Sequence, residues 1–156
     1  MESKSQIFFY GSDQSRISPK GQVTIPARFR NLLSNDELER GFALVQGQEA
    51  CLYLYTHRQF GEIKDRAREH FTAIGKKDAF RTFMEEAVAV LLDPQGRFVL
   101  PGALREKAGL AGPDILFAGV DNRIEIWHPA TRQVNRQRNN EADQWRREQG
   151  EKIFGL

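Results

Sequence analysis

Two stretches of this sequence are versions of one another. Ile17–Arg30 reads ISPKGQVTIPARFR, and Leu92–Arg105 reads LDPQGRFVLPGALR. Aligning Ser18 with Asp93 sets an offset of 75 residues. At that offset Pro19 meets Pro94, Gly21 meets Gly96, Pro26 meets Pro101 and Arg30 meets Arg105. Ile17/Leu92, Val23/Phe98, Ile25/Leu100 and Phe29/Leu104 agree in character. The correspondence extends to Cys51–Thr56 and Arg123–His128 at an offset of 72, so the second unit is three residues shorter in its middle. A unit of about forty residues buries too little apolar surface to be stable alone. The repeat therefore predicts two units packed on each other with pseudo-two-fold symmetry.

Each unit has the same local grammar. Pro19-Lys20-Gly21 and Pro94-Gln95-Gly96 read as turns, proline fixing φ and glycine supplying a positive φ. Val23-Thr24-Ile25 and Phe98-Val99-Leu100 read as strands. Pro26 and Pro101 end those strands and open short helices over 27–33 and 102–108, with Gly109 as a C-terminal cap. Strand-like runs follow at 41–45 and 114–118, then turns at 46–48 and 119–122 lead to the last strands. Between the units, Phe60, Ile63, Ala67, Phe71 and Ile74 recur at helical spacing, as do Phe80, Phe83, Met84, Ala87 and Val88. These predict a helical hairpin joined near Gly75, its apolar stripes serving core packing and in part a subunit interface. The segment after Pro129 is polar and arginine-rich, with Arg132, Arg136, Arg138, Arg146 and Arg147, and reads as a solvated helical tail.

The expected architecture is α+β: a first unit at 7–56, a helical hairpin at 57–91, a second unit at 92–128 and a helical or flexible tail at 129–156. The two units are expected to form one small β-barrel and one domain. With 40% hydrophobic and 28% charged residues, the chain has an ordinary globular composition. No run of 18 apolar residues suggests a membrane span, and the opening MESKSQIFFYGSDQ lacks the pattern of a secretory leader. The one cysteine, Cys51, rules out an intrachain disulfide, and the expectation is a reducing cytosol. His57, His70 and His128 have no metal-ligand spacing with one another or with Cys51. No phosphate loop, nucleophile elbow or paired-carboxylate site is present. The expectation is a protein without catalytic activity, metal or cofactor.

Net charge is only +2, but its distribution is uneven. Residues 14–30 contain Arg16, Lys20, Arg28 and Arg30 and no carboxylate. Several such edges side by side would multiply phosphate contacts. Arg97 and Arg105 face Asp93 in the second unit, a local charge of only +1 over 92–105.

The pattern of turn, glycine, strand, Ile-Pro and helix ending in arginine resembles the swapped-hairpin barrels of AbrB-like transcription factors. Two such units separated by a helical hairpin are similar to the MraZ family, with an Asp-x-x-x-Arg motif in each half. Asp93-Pro-Gln-Gly-Arg97 keeps that motif, and Leu100-Pro101, Leu104-Arg105, Ala118-Gly119 and Glu125-Ile-Trp127 also fit. Phe9-Tyr10-Gly11 fits too, although a basic residue is more usual than Tyr10. The resemblance covers roughly residues 7 to 128. It implies a cytoplasmic, nucleoid-associated regulator that binds double-stranded DNA as a ring of several subunits. The target implied is repeated boxes in the promoter of the division and cell-wall gene cluster.

The first unit departs from the motif: Ser18 stands in place of Asp and Gln22 in place of Arg. Glutamine keeps hydrogen-bonding capacity and can pair with adenine. The sequence thus nominates Arg16, Lys20, Gln22, Thr24, Arg28 and Arg30 for DNA. Asp93, Arg97 and Arg105 are nominated for a structural ion pair or an oligomer contact. An antitoxin-like regulator that also binds a protein partner is the alternative, less favoured by two units and an ordered hairpin.

Overall fold

The computed structural model describes residues 7–139 and 141–156. The first unit contributes β1 (Ser12–Arg16), β2 (Gln22–Thr24), α1 (Ala27–Arg30), α2 (Asn35–Arg40), β3 (Phe42–Gln46) and β4 (Leu52–Thr56). Helices α3 (His57–Ala73) and α4 (Lys77–Glu86) form the hairpin. The second unit contributes β5 (Val88–Val90), β6 (Arg97–Val99), α5 (Gly102–Lys107), β7 (Asp114–Val120) and β8 (Arg123–Trp127). Helices α6 (Pro129–Asn139) and α7 (Trp145–Phe154) follow.

The units interlock. A six-stranded antiparallel sheet runs in the order β1-β7-β8-β4-β3-β5, and β2 pairs with β6 in a separate ribbon. Each unit's first strand lies on the other unit's third: β1 on β7, β5 on β3. The register is symmetric under exchange of the units. In the ribbon, Gln22 pairs with Val99, Val23 with Phe98 and Thr24 with Arg97. In the sheet, Leu52 pairs with Ile126, Tyr53 with Glu125 and Leu54 with Ile124. A pseudo-two-fold axis therefore passes through the Val23/Phe98 and Tyr53/Glu125 pairs. Ile25 N–H donates to the Gly96 carbonyl at 3.0 Å and Leu100 N–H to the Gly21 carbonyl at 2.9 Å, one exchange for each unit. Among the described residues no ladder joins edge strands β1 and β5, so the expected barrel takes the form of a sheet plus a ribbon.

Local sequence explains most element ends. Gly21 and Gly96 take φ of 80° and 81°, the left-handed conformation their turns require. Pro26 and Pro101 flank the starts of α1 and α5. Helix α1 is shorter than the predicted 27–33, because the chain turns at Asn31–Leu33 to reach α2. Helix α2 went unrecognised in the sequence although its signal is there: Ser34 and Glu37 form a reciprocal capping box. The predicted second hairpin helix included Ala87 and Val88, but α4 ends at Glu86 and Val88 pairs with Leu44 on β3. Satisfying the backbone of that sheet edge outweighs one more helical turn. Strand β1 is polar, SDQSR, and lies at the opposite edge of the sheet.

The inner faces of both units share one core. Ile25, Phe29, Leu44, Leu52, Leu54, Ile115, Phe117, Ile124 and Ile126 are completely buried. Phe9 meets Phe29 edge-on at 5.9 Å. Where the axis crosses the sheet, Glu125 is buried and paired. Arg123 bonds it at 2.7 Å, and Trp127 Nε1 donates to it at 2.9 Å. The Arg123 guanidinium also lies 4.4 Å from the centre of the Tyr53 ring. This network holds a carboxylate where an isolated one would be costly.

Because Phe98 sits on the symmetry axis and belongs to the shared core, Phe98→Ala should lower stability by about 3–5 kcal/mol. Urea denaturation should show one cooperative transition at a lower midpoint. Separate transitions for the two units would contradict the interlocked arrangement.

Candidate nucleic-acid interface

Strand alternation decides what the β2–β6 ribbon shows to solvent. Val23 and Phe98 turn inward and are buried. The opposite face therefore carries Gln22 and Thr24 from the first unit and Arg97 and Val99 from the second. Thr24 is exposed, Gln22 and Arg97 are half-buried, and Val99 is 59% exposed. Among the described residues the Gln22 side-chain carboxamide has no hydrogen-bond partner. Side chains from both halves thus share a single face, and the division between a DNA half and a structural half does not separate them in space. The alternation of Val23, Ile25, Phe98 and Leu100 carried that information, but reading each half alone obscured it.

The turns that set this ribbon use one device in two chemistries. Asp93 Oδ1 accepts from the Gln95 and Arg97 amides, each at 2.9 Å, while Oδ2 accepts from Arg97 Nε at 2.7 Å. Ser18 Oγ accepts from the equivalent amides of Lys20 at 3.3 Å and Gln22 at 3.0 Å. Serine therefore keeps the turn cap and gives up the ion pair. Gln22 needs no counter-charge, so the paired replacement leaves no isolated ion. The Arg97 backbone amide, and then its side chain, holds the Asp93 carboxyl below its ordinary value of 3.8.

The other nominated residues divide. Arg16 lines a groove with Ser18, Gln22, Thr24, Arg97 and Arg105. Lys20 is exposed at the tip of its turn. Arg28 pairs with Asp13 of β1 at 2.9 Å, both partly exposed. Arg30 donates Nε to the Ile25 carbonyl at 2.8 Å and lies against the Gly96 turn, where a Cβ would come within 2.6 Å of it. Arg105 is its symmetry mate: it lies near Gly21 and donates to the Leu110 carbonyl at 2.6 Å. The two arginines repeated between the units each bond a carbonyl of their own unit while lying beside the other unit's glycine turn.

Little else offers chemistry. The described residues contain no group of three or more His, Cys, Asp or Glu able to hold a metal. Cys51 is buried, and burial followed by the nearby Glu125 and Glu49 pushes its thiol up to about 12, so it is protonated at neutral pH. No described helix is long and apolar enough to cross a membrane.

The Asp93 cap has a pH signature. A carboxyl whose folded titration lies below its unfolded value adds stability above the unfolded value, and that stability is lost as pH falls through the folded one. Asp93→Asn keeps an oxygen for the turn and removes the charge. It should flatten the acid limb of the stability curve below about pH 4 while leaving the curve's shape above pH 6 unchanged. Thermal melts across pH 2–8 would check this.

Comparison with known proteins agrees with the doubled architecture. A family model described as "MraZ protein, putative antitoxin-like" matches residues 8–81 and 83–149. A protein of Arthrobacter sp. named transcriptional regulator MraZ is 38% identical over 120 residues, covering 76% of this chain and 80% of the relative. A namesake in Clavibacter michiganensis is 38% identical over 124 residues, with 79% and 82% covered. One in Frankia casuarinae reaches 40% over 120 residues. With two matched repeats, an interlocked two-fold register and relatives aligned over most of their length, the chain belongs to the MraZ family.

Proposed function

We propose that this chain is a sequence-specific DNA-binding transcriptional regulator, without enzymatic activity, working in the cytoplasm on the nucleoid. The observation that carries the reading is the β2–β6 face. It gathers hydrogen-bonding and cationic side chains from both units on and beside a two-stranded ribbon. A two-stranded β-ribbon fits the major groove of B-DNA, where Gln and Arg side chains can read base edges. The name carried by the relatives supports the transcriptional role. Repression of the division and cell-wall gene cluster through repeated promoter boxes follows the family resemblance.

The reading includes a ring of several subunits, each presenting one such ribbon. One ribbon brings few phosphate contacts, and several in register add them. Apolar side chains left uncovered support assembly: Ile74 after α3 is 51% exposed and Leu91 beside β5 is 70% exposed. A second reading, an antitoxin-like regulator that also holds a protein partner, draws on the family description and on Ile153 and Phe154 of α7, each 61% exposed.

The test is a gel shift with the chain's own upstream region across a salt series, with solution mass measured alongside. Wild type should bind with an affinity falling steeply with salt. Arg16→Glu with Lys20→Glu changes two exposed residues that hold no helix in place. It should cost at least roughly tenfold in affinity and lower the salt slope by about two, with mass and melting temperature unchanged. Unchanged affinity would remove this face from the interface.

A further inference from the structure

We infer that the ribbon reads its duplex with a fixed polarity, selecting an adenine at the Gln22 end and a guanine at the Arg97 end of one asymmetric site. The inference rests on the DNA-binding reading above. Its basis is the contrast between a symmetric backbone and an asymmetric set of side chains. The pseudo-two-fold register exchanges position 22 with 97 and 24 with 99. A ribbon with identical units would meet the dyad of B-DNA equally well in either direction and would favour a palindrome. Here the exchanges on the outer face of the ribbon change the chemistry, Gln22 for Arg97 and Thr24 for Val99, as does Lys20 for Gln95 at the turn tips.

Gln22 presents a neutral amide with no hydrogen-bond partner among the described residues, and its donor and acceptor match adenine N7 and N6. Arg97 commits Nε to Asp93 at 2.7 Å, which fixes the plane of its guanidinium and leaves its terminal nitrogens to match guanine O6 and N7. The two residues are diagonal neighbours on the ribbon, roughly 7–8 Å apart by sheet geometry and so about two base-pair steps. The flanks reinforce the direction. Arg16 borders the groove at the first-unit end, whereas its symmetry mate is Leu91, 70% exposed. The corresponding groove beside Arg30 is lined by Glu39 and Asp93. Phosphate attraction is therefore concentrated at one end of the ribbon.

The experiment is selection from a random duplex library with the full chain, comparing wild type, Gln22→Arg and Gln22→Ala, followed by affinities for single-base variants of the selected site. Wild type should enrich a non-palindromic motif in which replacing one adenine by guanine costs roughly tenfold or more. Gln22→Arg should turn that one position to guanine and steepen the salt slope by about one. Gln22→Ala should lose discrimination there and keep it elsewhere. If wild type enriches a palindrome, or if both variants return the wild-type motif, the polarity is refuted while DNA binding stands. If no library member is retained even at low salt, the DNA-binding reading falls and the inference with it.

Discussion

The pairing of β2 with β6 is the contact on which the rest of this structure depends. Among the described residues neither strand has a strand partner within its own unit, and each is only three residues long. Their union places Val23 against Phe98 and lets Ile25 and Leu100 exchange amides with the opposite turns. The buried apolar residues of both units then fall into one cluster. A unit that kept its strands to itself would leave that ribbon's backbone unpaired and half of the cluster open to water. Folding and presentation of the candidate interface are thus one event: the strand that completes the core on its inner side displays Gln22, Thr24, Arg97 and Val99 on its outer side.

Duplication leaves the inner positions under common constraint and frees the outer ones. Phe29 and Leu104, Ile25 and Leu100, Val23 and Phe98 all remain apolar and buried. Arg30 and Arg105 share a placement, each beside the opposing glycine turn with Nε donating to a carbonyl of its own unit. Ser18 and Asp93 are retained in function through the turn cap they share, though they differ in charge. The freed positions are the solvent-facing ones, and there the first unit has become basic and amide-bearing while the second keeps an ion pair.

Much of this is legible in the sequence. The repeat pointed to a pseudo-two-fold arrangement, and positions 23 and 98, aligned in sequence, are partners in the ribbon. Proline and glycine at fixed places marked the turns and helix starts, and apolar spacing marked the hairpin. What escaped had physical causes. β1 is an edge strand of polar residues, so no apolar alternation announces it. β5 borrows its identity from the β3 edge, a partner more than forty residues away in sequence. Arg30 counts as a free positive charge in a sequence and becomes a tethered one only when the Ile25 carbonyl and the Gly96 turn are in place. Arg97 pairs with Asp93 and also shares the outer ribbon face with Gln22, a juxtaposition local charge does not announce because it says nothing about which strands lie side by side.

Backbone amide exchange of the full chain, with and without a duplex from its own upstream region, tests the central claim most directly. The account predicts that bound DNA slows exchange at residues 18–24 and 93–99 together, both halves of one ribbon. Protection confined to α6 and α7, or to only one of the two ribbon strands, would contradict it.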